Sequence, residues 1–232
     1  MNILRTLTDL FLPRHCTVCG AELVNCEDFL CNVCLCNLHW ITWNDTRDNP
    51  MLRSMWSHHD VEAAGSSFYY NSAYNFRNIF WATKYYGFPR VGEHLARLSF
   101  PRWQALGLAE GADAIIPVPL AAGRRWHRGY NQAEWIARGV ATATGIQVYS
   151  RILKRIRHNE TQTRKNPLQR RENTAGIFAV RKNSPDLNRL TVLLVDDIMT
   201  TGATLCDCIR ALRETYPSIG IHIYTLGWAG NK

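Results

Sequence analysis

Two aspartates, Asp196 and Asp197, stand side by side after the apolar run Thr191–Val195, and Thr200–Thr204 (TTGAT) follows them. The β-branched run predicts a buried strand and the small residues predict a turn into a helix. In open α/β sheets, ligands bind at carboxyl strand ends, where unpaired N–H groups and the helix dipole favour an anion. Gly202 and Ala203 let the main chain approach a phosphate, and Thr200, Thr201 and Thr204 offer hydroxyl donors. The carboxylates, being anionic, cannot bind phosphate. They suit vicinal hydroxyls, with or without a divalent cation such as Mg2+ nearby. The pattern describes a site for a ribose carrying a 5′-phosphate.

A second chemistry lies near the N-terminus. Cys16-x2-Cys19 and Cys31-x2-Cys34 are separated by eleven residues. Zinc takes four thiolates in a tetrahedron, and each knuckle supplies two from one turn. Such a site is closed, so Zn2+ there would staple a small fold and not react. A redox pair or reduced free thiols is the alternative. Cys26 and Cys36 are further thiols, so a swap such as Cys36 for Cys34 stays open, and His15 and His39 are nearby.

These residues need a scaffold. The 232-residue chain is 46% hydrophobic and 20% charged, enough for a real core and too apolar for a disordered polyelectrolyte. A formal charge of +8 favours anionic partners. Basic residues concentrate at Arg124, Arg125 and Arg128 and again over Arg151–Arg171. With no long apolar span and no convincing secretory signal, a cytoplasmic protein without a membrane span is expected. Strands are predicted at 65–70, 112–117, 147–153, 177–180, 191–195 and 221–226. Helices are predicted at 71–84 and 91–106, after Asn131 and after Thr204. Alternation beyond residue 110 predicts an α/β fold with a mostly parallel, twisted sheet flanked by helices. The polar stretch 44–50 reads as a linker between a zinc module (1–46) and the larger domain (60–232). The long polar segment up to Asn173, with Thr161, Gln162 and Arg170, reads as a functional lid or a nucleic-acid contact strip.

The segment Val192–Thr204 resembles the signature of type I phosphoribosyltransferases, which grips phosphoribosyl pyrophosphate (PRPP). Combined with the paired knuckles, Ile116-Pro117-Val118-Pro119-Leu120 and Arg124-x3-Arg128-Gly129-x-Asn131-Gln132, the chain is similar to the ComF (competence protein F) family from Cys16 to Trp228. The resemblance implies a type I phosphoribosyltransferase-like sheet, PRPP bound with Mg2+, and catalytic roles for Asp196 and Asp197. It also implies pyrophosphate on Arg124, Arg125 and Arg128, a loop closing over the centre, and a link to DNA uptake in natural competence. Purine-salvage relatives carry an acid where this chain has Thr200, which disfavours a purine acceptor. Two readings follow. One is a transferase of unknown acceptor. The other is a non-catalytic sensor of a phosphoribosyl ligand that binds single-stranded DNA or DNA-uptake proteins.

Overall fold

The computed structural model describes residues 13–24, 26–55, 61–70, 79, 89–120, 129–156 and 176–230. The readings of a helix at 71–84 (Ile79 apart), of the arginines at 124, 125 and 128, and of the segment 157–175 lie outside them.

Among the described residues there are six strands: β1 (Ala63–Tyr69), β2 (Ala112–Pro117), β3 (Leu153–Arg155), β4 (Phe178–Val180), β5 (Thr191–Met199) and β6 (Gly220–Trp228). The helices are α1 (Asn32–Cys36), α2 (Pro50–Arg53), α3 (Arg90–Ala105), α4 (Gln132–Thr144) and α5 (Ala203–Thr215). A four-stranded sheet runs β1-β6-β5-β2, and every pair is parallel. Val192–Val195 are buried on both faces of β5. A continuous apolar run, with no polar alternation, is what a strand covered by helices on both sides requires.

Two expectations need correcting. The parallel sheet is not confined to the alternating elements beyond residue 110: β1 is its edge and pairs with β6. Nor is 147–153 a core strand. Only Val148 bridges Ile115 beside β2, after which the chain turns, and β3 pairs antiparallel with β4 in a separate ribbon. The alternation of Gln147–Leu153 looks continuous, but the turn at Arg151 and Ile152 breaks it. On α3, Val91, Leu95, Phe100 and Trp103 form the buried stripe, while Leu98 is 43% exposed.

The outer edge of β1 is closed. Trp40 bridges Phe68 antiparallel, Ile41 N donates to Ser67 O at 2.9 Å, and Tyr69 N donates to His39 O at 2.8 Å. Pairing an edge in this way removes a template for aggregation. Residues 44–49 are fastened to the same edge. Ala64 N donates to Thr46 O, and the Asn49 amide donates to Ala64 O while its Oδ1 caps α2 through Leu52 N.

Helices α3 and α4 cross closely because Gly139 has no side chain. A Cβ there would stand 2.2 Å from the Glu93 carbonyl oxygen. This crossing holds α4 against β2 and β5.

Beneath α3, a hydroxyl chain is buried in the core. Ser99 Oγ donates to Leu95 O at 2.8 Å and Ser67 Oγ donates to Ser99 Oγ at 2.8 Å. Each serine has one proton, so Tyr224 supplies the one in its 2.6 Å bond with Ser67. Burial, only partly offset by these hydroxyls, pushes Tyr224 up to about 12. The folded state therefore holds this proton more tightly than the unfolded chain, whose tyrosines titrate near 10. Its stabilisation is full below pH 10 and falls as pH rises toward 12, by about 3 kcal/mol. Urea unfolding of wild type and Tyr224→Phe between pH 9 and 12 checks this; the steep alkaline decline is expected to flatten in the variant.

Candidate functional site

The topology assigns the site its place. From β2 the chain passes through α4 to Val148, on the far side of β2 from β5. From β5 it passes through α5 to β6, in the opposite direction. Right-handed crossovers that diverge put their helices on opposite faces and open a crevice between the two strands at their carboxyl ends. Here that crevice lies between Pro117, in register with Val195, and the residues just beyond them. Val118 N donates to Val195 O at 2.8 Å, so the two strand exits are joined at the crevice floor.

On one side, β5 delivers the acids. Asp196 and Asp197 are half-buried, and each turns an oxygen back to accept a backbone N–H: Asp197 N to Asp196 Oδ1 at 2.8 Å, and Ile198 N to Asp197 Oδ1 at 2.7 Å. These bonds hold both carboxylates at the strand end. The strand runs to Met199, four residues beyond the predicted Val195, so the acids lie within its last turns of pleat. Thr200, Thr201 and Thr204 are exposed. Gly202 opens α5 at φ 75° with no side-chain cap, and its missing Cβ leaves room for Met199 Cε, which would stand 3.0 Å from one. Left-handed backbone at the head of a helix suits glycine and aims the first-turn N–H groups outward.

On the other side, Asn131 heads α4. Its side chain donates to Val118 O at 2.9 Å and makes no cap bond. It ties the start of α4 to the end of β2, framing the loop that carries Arg124, Arg125 and Arg128. Those three arginines lie outside the described residues.

Cys208 is buried under the turn. Burial first, then the charges of Asp196 and Asp207, raise its pKa, so it stays a neutral thiol and not a nucleophile.

Sequence reasoning missed Asp207. It lies on α5, 4% exposed, and its carboxylate accepts from Gly176 N (2.7 Å), Ile177 N (2.7 Å), Phe178 N (2.9 Å) and Arg210 Nε (2.9 Å). It fastens the helix of the acid–threonine turn to the start of β4. The available signal was an acid three residues before an arginine, but such helical pairs are usually solvated.

The cysteine cluster forms as expected. Sγ atoms of Cys16, Cys19, Cys31 and Cys34 all lie within 4.8 Å of one another. Cys19 and Cys31 sulfurs are 3.7 Å apart. Tetrahedral thiolates at a Zn–S distance of about 2.3 Å stand about 3.8 Å apart. Cys26 and Cys36 are exposed and lie outside the cluster. Gly20 at φ 74° turns the first knuckle, and its N–H donates to Cys16 O. The second knuckle is the head of α1. Burial opposes ionisation of Cys16, yet N–H groups of Cys19, Cys31 and Val18 bring its pKa down to about 7. Burial and the neighbouring sulfurs push Cys34 up. Four sulfurs this close have the donor set and spacing that a tetrahedral metal ion takes. Asp28 of this module reaches His94 on α3 at 3.5 Å, docking the module on the sheet's helices.

Residues 131–229 match the phosphoribosyl transferase domain model. With the parallel sheet, its helices and the acid–threonine turn, this defines a type I phosphoribosyltransferase-like protein with an N-terminal four-cysteine cluster. The chain is 34% identical over 147 residues to competence protein F of Haemophilus influenzae, covering 61% of this chain and 59% of the relative. It is 31% identical over 112 residues to competence protein ComFC of Bacillus subtilis, covering 48% and 43%. A third relative, DNA utilization protein YhgH of Salmonella typhi, is 32% identical over 100 residues, covering 43% of each chain. The match thus spans about two fifths to three fifths of these relatives' lengths. Over these stretches the chain is similar to members of the ComF family. Among the described residues no helix is long and apolar enough to cross a membrane.

Proposed function

We propose that this protein binds PRPP with Mg2+ in the crevice between β2 and β5 and acts as a phosphoribosyltransferase in the use of incoming DNA. The observation that carries this reading is the divergence of the chain at Pro117 and Val195, which opens a crevice beside the acid–threonine turn. Asp196 and Asp197 would hold the ribose hydroxyls. Thr200, Thr201, Gly202, Ala203 and Thr204 would hold the 5′-phosphate, and Arg124, Arg125 and Arg128 the pyrophosphate. Mg2+ supplies charge neutralisation of the pyrophosphate when bound, and the hard oxygens of the two acids are donors of the right kind. As the C1–pyrophosphate bond breaks, positive charge grows on the ribose. The carboxylates favour that charge and the guanidiniums favour the leaving group. Thr200 has no ionisable group with which to serve a purine acceptor. The DNA link rests on the names of the relatives.

The four-cysteine cluster would hold one structural Zn2+ within a module spanning 1–46, ahead of the phosphoribosyltransferase-like domain of 60–232. Reduced thiols of this kind suit the cytoplasm.

Calorimetry with PRPP and Mg2+ tests the site. Wild type is expected to release heat, and Asp196→Asn/Asp197→Asn to bind at least about tenfold more weakly, as loss of two charge-assisted contacts implies. Absence of heat with wild type would overturn the assignment. Pyrophosphate release with a panel of acceptors then separates a transferase from a protein that only senses PRPP while binding single-stranded DNA or an uptake partner.

A further inference from the structure

The ribbon of β3 and β4 carries a basic cleft that the PRPP reading does not use. Residues 150–156 and 178–182 contain five basic side chains, Arg151, Lys154, Arg155, Arg181 and Lys182, and no acid. The chain enters β3 from Arg151 and leaves β4 at Arg181, so both arginines emerge at one end of the ribbon. Arg181 N donates to Ile152 O at 2.8 Å, which locks the two exits together. Between them and the first turn of α4 lies a cleft of about 470 Å3, lined by Glu134, Ser150, Arg151 and Arg181.

Among the described residues that line it, Glu134 is the one acid, and Arg138 pairs with it at 3.1 Å. Arg155 instead lies over the Phe178 ring, 5.6 Å from its centre. Arg151 and Arg181 have no side-chain partner among the described residues. Two unpaired guanidinium forks and a hydroxyl around a concavity match the oxygens of a phosphate, which arginine binds bidentately. A cleft of this volume suits a ligand of nucleotide size. The cleft stands at the carboxyl side of the sheet, because Ser150 and Arg151 follow the parallel bridge at Val148 and Glu134 heads α4. It is on the outer flank of β2, however, whereas the crevice is on the inner one.

We infer that this cleft is a second anion site, which takes the phosphate of a nucleotide or of a single nucleic-acid strand between Arg151 and Arg181.

The test is fluorescence anisotropy of a labelled 20-residue oligothymidylate, titrated over a series of salt concentrations with full-length protein. Wild type is expected to bind, and Arg151→Gln/Arg181→Gln to bind at least about tenfold more weakly at low salt. Two lost phosphate contacts should lower the slope of log affinity against log salt by about 1.4. Competition separates the sources: thymidine 5′-monophosphate displacing the strand marks a free-nucleotide site, and displacement by unlabelled strand alone marks a strand site. The double variant should still release heat with PRPP and Mg2+, while Asp196→Asn/Asp197→Asn should still bind the oligonucleotide. Equal affinity and slope in wild type and the arginine variant would overturn the inference, as would no binding of either probe by wild type. Loss of PRPP heat in the arginine variant would also overturn it, since the cleft would then belong to the PRPP site.

Discussion

Stripping metal from the four-cysteine cluster is expected to unfold residues 13–38 and to destabilise the sheet with them. One zinc per chain should be found by elemental analysis, and none in Cys16→Ser. The cluster draws Cys16, Cys19, Cys31 and Cys34 together across a module of short turns and the five-residue α1. A module that small buries too little apolar surface to fold alone. Structural zinc contributes roughly 10–16 kcal/mol of apparent binding energy at neutral pH, more than a domain's whole stability margin of about 5–15 kcal/mol. The loss should spread, because residues 39–41 follow the second knuckle directly and close the edge of β1. Arg102 donates from α3 to Trp43 O at 2.6 Å, and the Trp43 ring meets Trp228 edge-on with centres 4.9 Å apart. Tryptophan fluorescence therefore reports on this junction. A chelator should shift it to the red and lower the thermal midpoint, and zinc should restore both. An unchanged spectrum and midpoint after complete metal removal would show that the cluster staples nothing.

Asp207→Ala is expected to cost about 3–5 kcal/mol, the range for removing one member of a buried, hydrogen-bonded charge pair. The variant strands three N–H groups, those of Gly176, Ile177 and Phe178, and takes from Arg210 its buried partner. Arg210 keeps its exposed bond to Glu214, which limits the damage on that side. Asp207→Asn retains one acceptor oxygen and should fall between wild type and alanine. Urea unfolding at neutral pH measures all three. A cost for alanine below about 1 kcal/mol, the ordinary effect of a substitution, would mean that these bonds do not hold α5 to β4.

Much of the site is legible in order along the chain. Thr191–Val195, the acid pair and the TTGAT turn carry their own local grammar: strand propensity, a polar stop and a glycine at positive φ. The same holds for the knuckles, since each C-x2-C turn brings its own two sulfurs together locally. Only the tertiary structure decided which strands became neighbours. Residues 63–69 joined the parallel sheet because β6 offered an edge, while Leu153–Arg155 left it for an antiparallel partner at 178–180. Asp207 is an ordinary helical acid until the start of β4 brings three N–H groups to it. Arg151 and Arg181 are thirty residues apart until the ribbon places them on one cleft. Backbone pairing and desolvation depend on what arrives from elsewhere in the chain, and neither is written in the spacing of nearby residues. The acid–threonine turn and the paired knuckles were the part the sequence determined by itself. The crevice between β2 and β5, its floor at Val118 and Val195, and the second cleft beside it exist only because divergent crossovers and a distant ribbon brought separate segments together.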